Sequence, residues 1–298
     1  MHIKLKMLKL VRGFVLLACS VCLFAAVCNA AEPRKILYFS LSSGFEHSTV
    51  VSKDGQPSVS DIAITAVCKP AGIEVVCTKD GKIFDKDLSP YAAILFQTSG
   101  EMSKGTKEHP DWALTDTGWR NILTAVRNGK GFVAFHPTTD ANRILDDNDT
   151  PTEPEKITEF TKFLGAQFTT HGNHQEGTVS VVEPTPFAWF AAKGQYRYFE
   201  EWYCHKNFQN DIHVFALLET KGLDGVMYKR PPMPLVWGRA EGKGRVLYSA
   251  FGHYDNYWQD KNNMEFVLQL IQAAVGDLKV DLTPNIQTAA PGANTLKE

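Results

Sequence analysis

Apolar residues in the first half of the chain form short continuous runs, and stretches of helical periodicity separate them. The runs lie at residues 35–41, 73–77, 91–97 and 131–136. Their length and their β-branched or aromatic content indicate buried strands. Helical spacing is shown by three intervening sets: Val59, Ile62, Ala63, Ala66 and Val67; Trp119, Ile122, Leu123 and Val126, in a helix predicted over Thr115–Asn128; and Ile157, Phe160 and Leu164. Strands alternating with helices predict an α/β domain with a mostly parallel central sheet covered on both faces.

The C-terminal third has a different pattern. Strands with short connections are predicted at residues 178–182, 213–219, 234–239 and 245–250. Phe266, Leu270 and Ala274 share one face of a closing helix. No repeat or linker interrupts the chain, which predicts one domain over residues 31–277. The segment 278–298, with Pro284 and Pro291, is predicted to be poorly ordered.

The N-terminus has the pattern of a secretory signal peptide. Lys4, Lys6, Lys9 and Arg12 precede an apolar run at residues 14–27, and small residues follow at 28–31. Removal of residues 1–30 predicts an exported protein, periplasmic or secreted, with no stable membrane span. The run is shorter than the ~20 residues that cross a bilayer, although an uncleaved anchor and a lipoprotein signal ending at Cys19 are alternatives.

Charge and cysteine content exclude two classes of protein. Cleavage removes four of 31 basic residues and none of 33 acidic ones, so the mature charge is 27 − 33 = −6. This balance argues against a nucleic-acid partner. The remaining cysteines, Cys68, Cys77 and Cys204, are too few and odd in number for a disulfide framework. A Cys68–Cys77 bond and packed free thiols both stay open.

Histidines follow three predicted strands directly. His47 comes after the first strand, with Phe45 beside it, His136 ends the fourth, and His253 follows the strand at 245–250. Carboxyl ends of parallel strands share one edge, where ligands of such folds bind. Neutral imidazole suits proton transfer near pH 7 and metal binding alike. We therefore predict a site at this edge of the sheet. The loop after the fourth strand also carries Thr138 and Asp140.

Further histidines make a metal site one of the alternatives. His171 and His174 add two imidazoles in a Thr- and Gly-rich segment, but the spacing fits no standard zinc signature. A divalent metal such as zinc, held by scattered histidines and carboxylates, is one hypothesis. The acidic run at 146–149 lacks the glycine and distal glutamate of a calcium-binding EF-hand loop and is interpreted as a solvated turn.

Residues 199–203 place Glu200 and Glu201 beside Trp202 and Tyr203. Aromatic faces and carboxylates together are typical of sugar sites, and a helix edge packed through Trp202 is the structural alternative. Residues 237–245, with Trp237, Arg239 and a Gly-rich turn, are interpreted as a hairpin, since glycine supplies the positive φ of tight turns.

These segments together resemble the ThuA-like (trehalose utilisation) family. The match rests on Gly44-Phe45-x-His47, residues 131–136, the segment at His171, residues 200–203 and the pattern from Pro234 to His253, in the family's order across about residues 35–275. The resemblance implies a single three-layer, flavodoxin-like domain, a variant of the class I glutamine amidotransferase fold. It also implies a role in sugar metabolism, in pathways that use 3-keto sugars. Pro137-Thr138-Thr139 departs from the family's usual small residues.

The amidotransferase comparison excludes one activity. Glutaminases of that fold carry a nucleophilic cysteine after the strand that corresponds to residues 131–135, and this chain has His136 there. Cys-dependent release of ammonia from glutamine is therefore not expected.

The resulting hypothesis is an exported enzyme whose ligand is a small sugar or glycoside. In it, His136 or His47 removes the proton beside a 3-keto group. Glu201 and Arg239 hold hydroxyls or the developing oxyanion, which a divalent metal would stabilise in place of Arg239. His253 completes the catalytic set, and Phe45, Thr138, Asp140, His171, Trp202, Tyr203 and Trp237 line the pocket. A non-catalytic carbohydrate-binding module and a metal-dependent hydrolase are the alternatives, and the sequence gives no oligomeric state.

Overall fold

A computed structural model describes residues 34–142 and 157–295. The predicted signal peptide and the acidic turn at 146–149 lie outside these ranges. The strands are β1 Arg34–Phe39, β2 Ile73–Thr78, β3 Tyr91–Phe96, β4 Gly131–Phe135, β5 Gln167–His171, β6 Gln175–Val181, β7 Gln195–Glu200, β8 Tyr203–Lys206, β9 His213–Glu219, β10 Met233–Glu241 and β11 Gly244–Ser249. The α-helices are α1 Val59–Cys68, α2 Asp116–Arg127, α3 Glu159–Leu164, α4 Ala188–Ala191, α5 Asp255–Gln259, α6 Lys261–Val275 and α7 Ile286–Ala289.

Nine strands form one sheet in the order β2-β1-β3-β4-β11-β10-β9-β6-β7, and β5 pairs with β8 separately. The five strands from β2 to β11 are mutually parallel. From β11 outward, the pairs with β10, β9, β6 and β7 are antiparallel. The predicted α/β fold with a parallel central sheet is confirmed, and the hairpins of the C-terminal half extend that sheet on one side.

Helices cover both faces of the parallel centre. Phe132 packs against Phe163 of α3, with ring centroids 5.0 Å apart, and Phe135 packs against Trp258 of α5, at 5.5 Å. Side chains alternate along a strand, so positions 132 and 135 point to opposite faces of β4. The central parallel strands β3 and β4 are consequently buried on both sides, which explains their continuous apolar runs.

The buried face of α1 differs from the predicted one. Ile62 is 58% exposed, whereas Ile64 and Cys68 are buried. Ser60 also turns inward, because its hydroxyl accepts a hydrogen bond from Tyr38 Oη and donates to the Thr49 carbonyl. A polar residue with two buried partners thus sets the rotation of this helix, and apolar spacing alone could not show that.

Residues 278–295 pack against the domain, in contrast to the poorly ordered tail that the sequence predicts. Ile286, Ala290 and Ala293 are buried. The buried guanidinium of Arg230 donates to the carbonyls of His205, at 2.7 Å, and Ala293. The Arg230 side chain and the backbone N–H groups of Phe208 and Val214, which donate to Asn294 and Asn285, supply this attachment, so the tail's own composition did not indicate it.

Three further features bear on the predictions. Cys68, Cys77 and Cys204 are free thiols, so the Cys68–Cys77 bond is not formed. Strands β5, β7 and β8 were not predicted. Among the helices of the described residues, none combines the length and hydropathy that a membrane crossing requires.

Candidate metal centre

Three strand-end loops bring three imidazoles together. His47 follows β1, His136 follows β4 and His253 follows β11, and these strands are parallel members of one sheet. The ring of His47 lies 5.2 Å from that of His136 and 5.0 Å from that of His253, and 5.2 Å separates His136 from His253. The predicted convergence of these side chains at the carboxyl edge is therefore what the structure shows.

The backbone at His136 adopts an uncommon conformation. Its φ is +30°, in a 3-10 turn that begins directly after β4. Non-glycine residues with positive φ are infrequent and concentrate at functional sites. The ring is fully buried, and its Nδ1 lies 2.9 Å from the carbonyl oxygen of Ala250. A carbonyl can only accept, so Nδ1 carries the hydrogen and Nε2 presents its lone pair when the ring is neutral.

Close backbone packing fixes the loop that carries His47. A Cβ added to Gly100, whose φ is +72°, would lie 2.2 Å from the Gly44 nitrogen. Gly100 must therefore stay glycine for the loops after β1 and β3 to approach this closely, whereas a Cβ on Gly44 would lie 3.2 Å from the Gly100 Cα, a tight contact. The position of His47 thus depends on close backbone packing at Gly100.

Glu201, between β7 and β8, supplies the only carboxylate of the cluster in the described residues. Its Oε2 lies 3.2 Å from His136 Nε2, 3.0 Å from His253 Nδ1 and 3.9 Å from His47 Nε2. His136 Nε2 is in turn 3.2 Å from His253 Nδ1. All four donor atoms lie within 4.8 Å of one another. We call His47, His136, Glu201 and His253 the inner cluster.

A second set of imidazoles faces the other oxygen of the same carboxylate. Glu201 Oε1 lies 3.2 Å from His171 Nδ1 and 3.0 Å from His174 Nε2. His171 Nδ1 is also 3.0 Å from the Gly172 carbonyl oxygen, and His174 Nδ1 pairs with the hydroxyl of Tyr254. We call His171 and His174 the outer pair.

Glu200, which directly precedes Glu201 in the sequence, fixes the backbone that carries two members of the inner cluster. Its fully buried carboxyl accepts hydrogen bonds from the backbone N–H of Glu201, at 2.9 Å, and of Gly252, at 3.1 Å. Burial raises the pKa of Glu200 to about 7. One carboxyl therefore fixes the backbone that presents both Glu201 and His253.

Burial favours the neutral forms of His136 and His47 in the inner cluster. It lowers the pKa of His136 to about 4 and also lowers the pKa of His47. Burial works against ionisation of Glu201, but hydrogen-bonding contacts with His136, His253 and His47 outweigh it and hold the pKa of Glu201 well below its usual range. Neutral imidazoles beside an ionised carboxylate are the forms in which these groups bind metals.

His205 lies beneath the cluster and gives a pH-dependent prediction. It is fully buried, its Nε2 is 3.0 Å from Thr139 Oγ1, and burial lowers its pKa from 6.5 to about 3. Because the folded protein keeps His205 neutral, the free energy of unfolding is highest above pH 6.5 and decreases as the pH falls from 6.5 towards 3. Between pH 7 and 5, this amounts to about 2 kcal/mol. In His205→Gln, urea denaturation of chelator-treated protein should show an acid-induced loss smaller by that amount. A pH dependence equal to that of the wild type would contradict the assignment.

Three predicted pocket residues are core residues instead. Trp202 is fully buried and its Nε1–H donates to the Gln175 carbonyl. Trp237 is buried against Tyr248 and donates to the Leu164 carbonyl. Thr138 is buried, and its hydroxyl bonds to backbone groups around β3 and β4. The prediction that these side chains contact substrate is wrong, since the protein itself occupies their faces and polar groups.

Arg239 lies at the wrong level of the sheet to reach the cluster. It pairs with Val246, which pairs with Phe132, four residues before His136. Its guanidinium contacts Asp211 at 2.7 Å and Glu241 at 2.6 Å. The predicted oxyanion role of Arg239 is therefore wrong, and its charge stabilises the far end of β10.

The remaining predicted pocket residues surround the cluster in different ways. Phe45 is 70% exposed, with its ring 5.0 Å from that of His47. Tyr203 is buried and stacks on His136, at 4.3 Å between centroids, and on His171, at 5.8 Å. It orients both imidazoles. Asp140 is half-buried at the end of the turn that starts with His136.

Tyr254 and the role of Glu200 were missed by the sequence reasoning. Tyr254 directly follows His253, and the doublet Glu200-Glu201 is visible in the sequence. The signal for both was adjacency to a residue already singled out. Which member of the doublet faces the histidines depends on the strand boundary at Glu200, which the sequence did not indicate.

Two solved structures share this fold. A ThuA-like protein from Bacteroides uniformis superposes with a TM-score of 0.59 at 19% identity, covering 84% of this chain and 95% of its own. One from Parabacteroides merdae gives 0.60 at 16% identity, covering 85% and 94%. Comparison with curated protein sequences gave no match. The pattern of the ThuA family, described as trehalose utilisation, matches residues 35–272. The chain belongs to the ThuA family.

Proposed function

We propose that this protein is a metal-dependent enzyme of carbohydrate metabolism that acts on a keto-sugar or keto-glycoside. The family supports the sugar, and the inner cluster supports the metal. One observation carries the proposal: three imidazole nitrogens and a carboxylate oxygen, from four separate segments, meet within 4.8 Å.

The spacing of these atoms suits a small divalent cation. Ligands about 2.1 Å from a tetrahedral zinc ion lie about 3.4 Å from one another. Four of the six separations between the inner-cluster donor atoms are 3.0, 3.2, 3.2 and 3.9 Å, and all six lie within 4.8 Å. Zinc is our choice because imidazole nitrogen and carboxylate oxygen are among its usual ligands.

Hydrogen bonds alone do not satisfy all four donor atoms of the inner cluster. With Nδ1 of His136 bonded to Ala250, its Nε2 lone pair points towards an ionised Glu201 and towards His253. A single proton can be shared by only one pair of these atoms in a hydrogen bond, whereas a cation can bind all four together. Burial disfavours the proton further, because it lowers the pKa of His136 and of His47. The Nδ1–carbonyl bond is also the second contact that metal-binding histidines regularly make.

The cation would replace Arg239 as the electrophile of the reaction. A cation held by the four residues of the inner cluster would supply Lewis-acid chemistry, expanding to five-coordinate to polarise a sugar carbonyl and so acidify the neighbouring C–H. The proton from that carbon would pass to solvent water. In a 3-keto-glycoside, the electron pair left at C2 forms a C1–C2 double bond as the C1–oxygen bond breaks, and the leaving oxygen receives a proton. His136 and His47 act as ligands in this scheme.

Two exposed aromatic rings lie beside residues of the site, Phe45 next to His47 and Phe199 next to Tyr254. Phe45 is 70% and Phe199 is 50% exposed, and the ring of Phe199 lies 5.7 Å from that of Tyr254. Rings of this kind cover the apolar C–H faces of sugars. They take the role that the sequence assigned to Trp202 and Trp237.

Turnover with and without metal tests the proposal. Purified protein should release nitrophenol from p-nitrophenyl 3-keto-glucoside, lose at least ~100-fold of that rate after EDTA treatment and dialysis, and regain it with Zn²⁺. The loss corresponds to about 3 kcal/mol of Lewis-acid stabilisation. Turnover that survives complete metal removal would contradict the metal role. Sugar binding without product would indicate a carbohydrate-binding module.

We also propose that the protein acts outside the cytoplasm. The support is the sequence of residues 4–31, in which a basic segment and an apolar run precede small residues. Mass spectrometry of protein expressed in its native cell type should give a mature N-terminus at Ala31. An intact Met1 in the mature protein would contradict export by this route.

A further inference from the structure

Glu201 divides its two oxygens between two groups of histidines. Oε2 faces the inner cluster, and Oε1 lies 3.0 and 3.2 Å from the outer pair, His174 and His171. A ligand to one cation needs only one carboxylate oxygen. The second oxygen therefore has its own set of nitrogen neighbours, and they form a second group of donor atoms within 4.8 Å of one another.

We propose that the outer pair and Glu201 Oε1 bind a second divalent cation, so that Glu201 bridges a two-metal centre. This inference rests on the proposed function, since it adds to the inner-cluster ion. A carboxylate that gives one oxygen to each ion holds them at the separation of about 3.5–4 Å found in two-metal enzymes.

The contacts of the outer pair suit a metal ligand set. His174 Nδ1 pairs with the Tyr254 hydroxyl, which orients the ring so that Nε2 faces Glu201. This repeats the arrangement at His136, where Ala250 holds the nitrogen opposite the shared oxygen. His171 Nδ1 lies 3.2 Å from Glu201 Oε1 and 3.0 Å from the Gly172 carbonyl oxygen, so this nitrogen gives up its hydrogen bond to Gly172 when it binds the ion.

The two sites differ in exposure, which predicts different affinities. Side chains of the inner cluster are 0–14% exposed, whereas those of His171 and His174 are 42% and 38% exposed. The outer ion has fewer protein ligands and keeps positions for water or substrate. It is placed to bind a sugar hydroxyl or ketone oxygen, and it should exchange faster than the inner ion.

The ring of Tyr203 contacts one histidine of each proposed metal site. It stacks on His136 of the inner cluster and on His171 of the outer pair. Because one rigid side chain contacts a ligand of each ion, the separation between the sites is set by the fold. Neither ion has to reorganise the protein in order to bridge through Glu201.

Zinc stoichiometry tests the second site separately from the first. Chelator-stripped full-length protein is titrated with Zn²⁺ by calorimetry and its metal content is measured after gel filtration at low free zinc. We expect two equivalents for the wild type, one for the double variant His171→Ala/His174→Ala, and two for the control His109→Ala, whose exposed ring stacks on Trp112. Circular dichroism checks that each variant is folded.

Each outcome decides between the two proposals. One equivalent in the wild type, unchanged in the double variant, would overturn the second site and leave the inner ion. No bound zinc in the wild type would overturn both. Two equivalents in both proteins would place the second ion elsewhere and overturn this assignment. If the double variant does not fold, His171→Gln/His174→Gln repeats the test, since glutamine keeps the size of each side chain without its imidazole.

Discussion

Replacing Glu201 by glutamine should abolish turnover and weaken Zn²⁺ binding at least ~100-fold, or about 3 kcal/mol. Glutamine has nearly the same shape, but it removes the one negative charge among five histidines of the described residues. Its amide NH₂ would also direct hydrogens at one of the two histidine groups. Both consequences act on the metal, so the measurement is a zinc titration paired with the aglycone assay.

Glu241→Gln is the matched control for this change. Glu241 is also a carboxylate held by cations, with Arg239 at 2.6 Å and Arg127 at 2.7 Å, but it lies at the far end of β10. That variant should lose stability and keep zinc affinity and turnover. If Glu201→Gln retained wild-type zinc affinity, Glu201 would not be a ligand and the inner cluster would have to be reinterpreted.

His136→Ala should lower turnover by at least ~10³-fold, about 4 kcal/mol of transition-state stabilisation. The ring supplies Nε2 to the cluster and is fully buried, so its loss opens the coordination sphere. It also leaves a cavity, which costs about 2–4 kcal/mol of folding stability. The rate and the unfolding free energy must therefore be measured on the same preparation.

His136→Asn separates the loss of the ligand from the loss of the fold. Asparagine tolerates the positive φ of position 136 better than alanine, and its amide can donate to a carbonyl as Nδ1 does towards Ala250. We expect this variant to be more stable than His136→Ala and equally inactive. Turnover near the wild-type rate in either folded variant would remove His136 from the mechanism.

Much of the parallel half of the fold can be predicted from the sequence. The runs at β1, β3 and β4 are apolar because both sheet faces are covered, and such runs are easily recognised. The same pattern places His47 and His136 at one edge. By contrast, β5 and β8 pair outside the main sheet, and three of the five residues of β5 are exposed or partly exposed, which leaves little apolar signal.

Site residues were predicted well where the direction of a strand determines their position, and poorly where their burial or their level along the sheet determines it. His47, His136 and His253 follow strands directly, so parallel pairing brings them together. Trp237 and Arg239 lie within β10, which runs antiparallel to β11, and their level depends on a register that the sequence did not show. Trp202 has the residue type of a sugar platform, but its burial comes from packing between distant segments.

Anomalous diffraction at the zinc edge, from crystals equilibrated with Zn²⁺, tests the central claim most directly. We predict a strong peak within about 2.0–2.2 Å of His47 Nε2, His136 Nε2, His253 Nδ1 and Glu201 Oε2. A density map with these four side chains in place and no anomalous peak among them, at a zinc concentration that saturates the protein in solution, would contradict it.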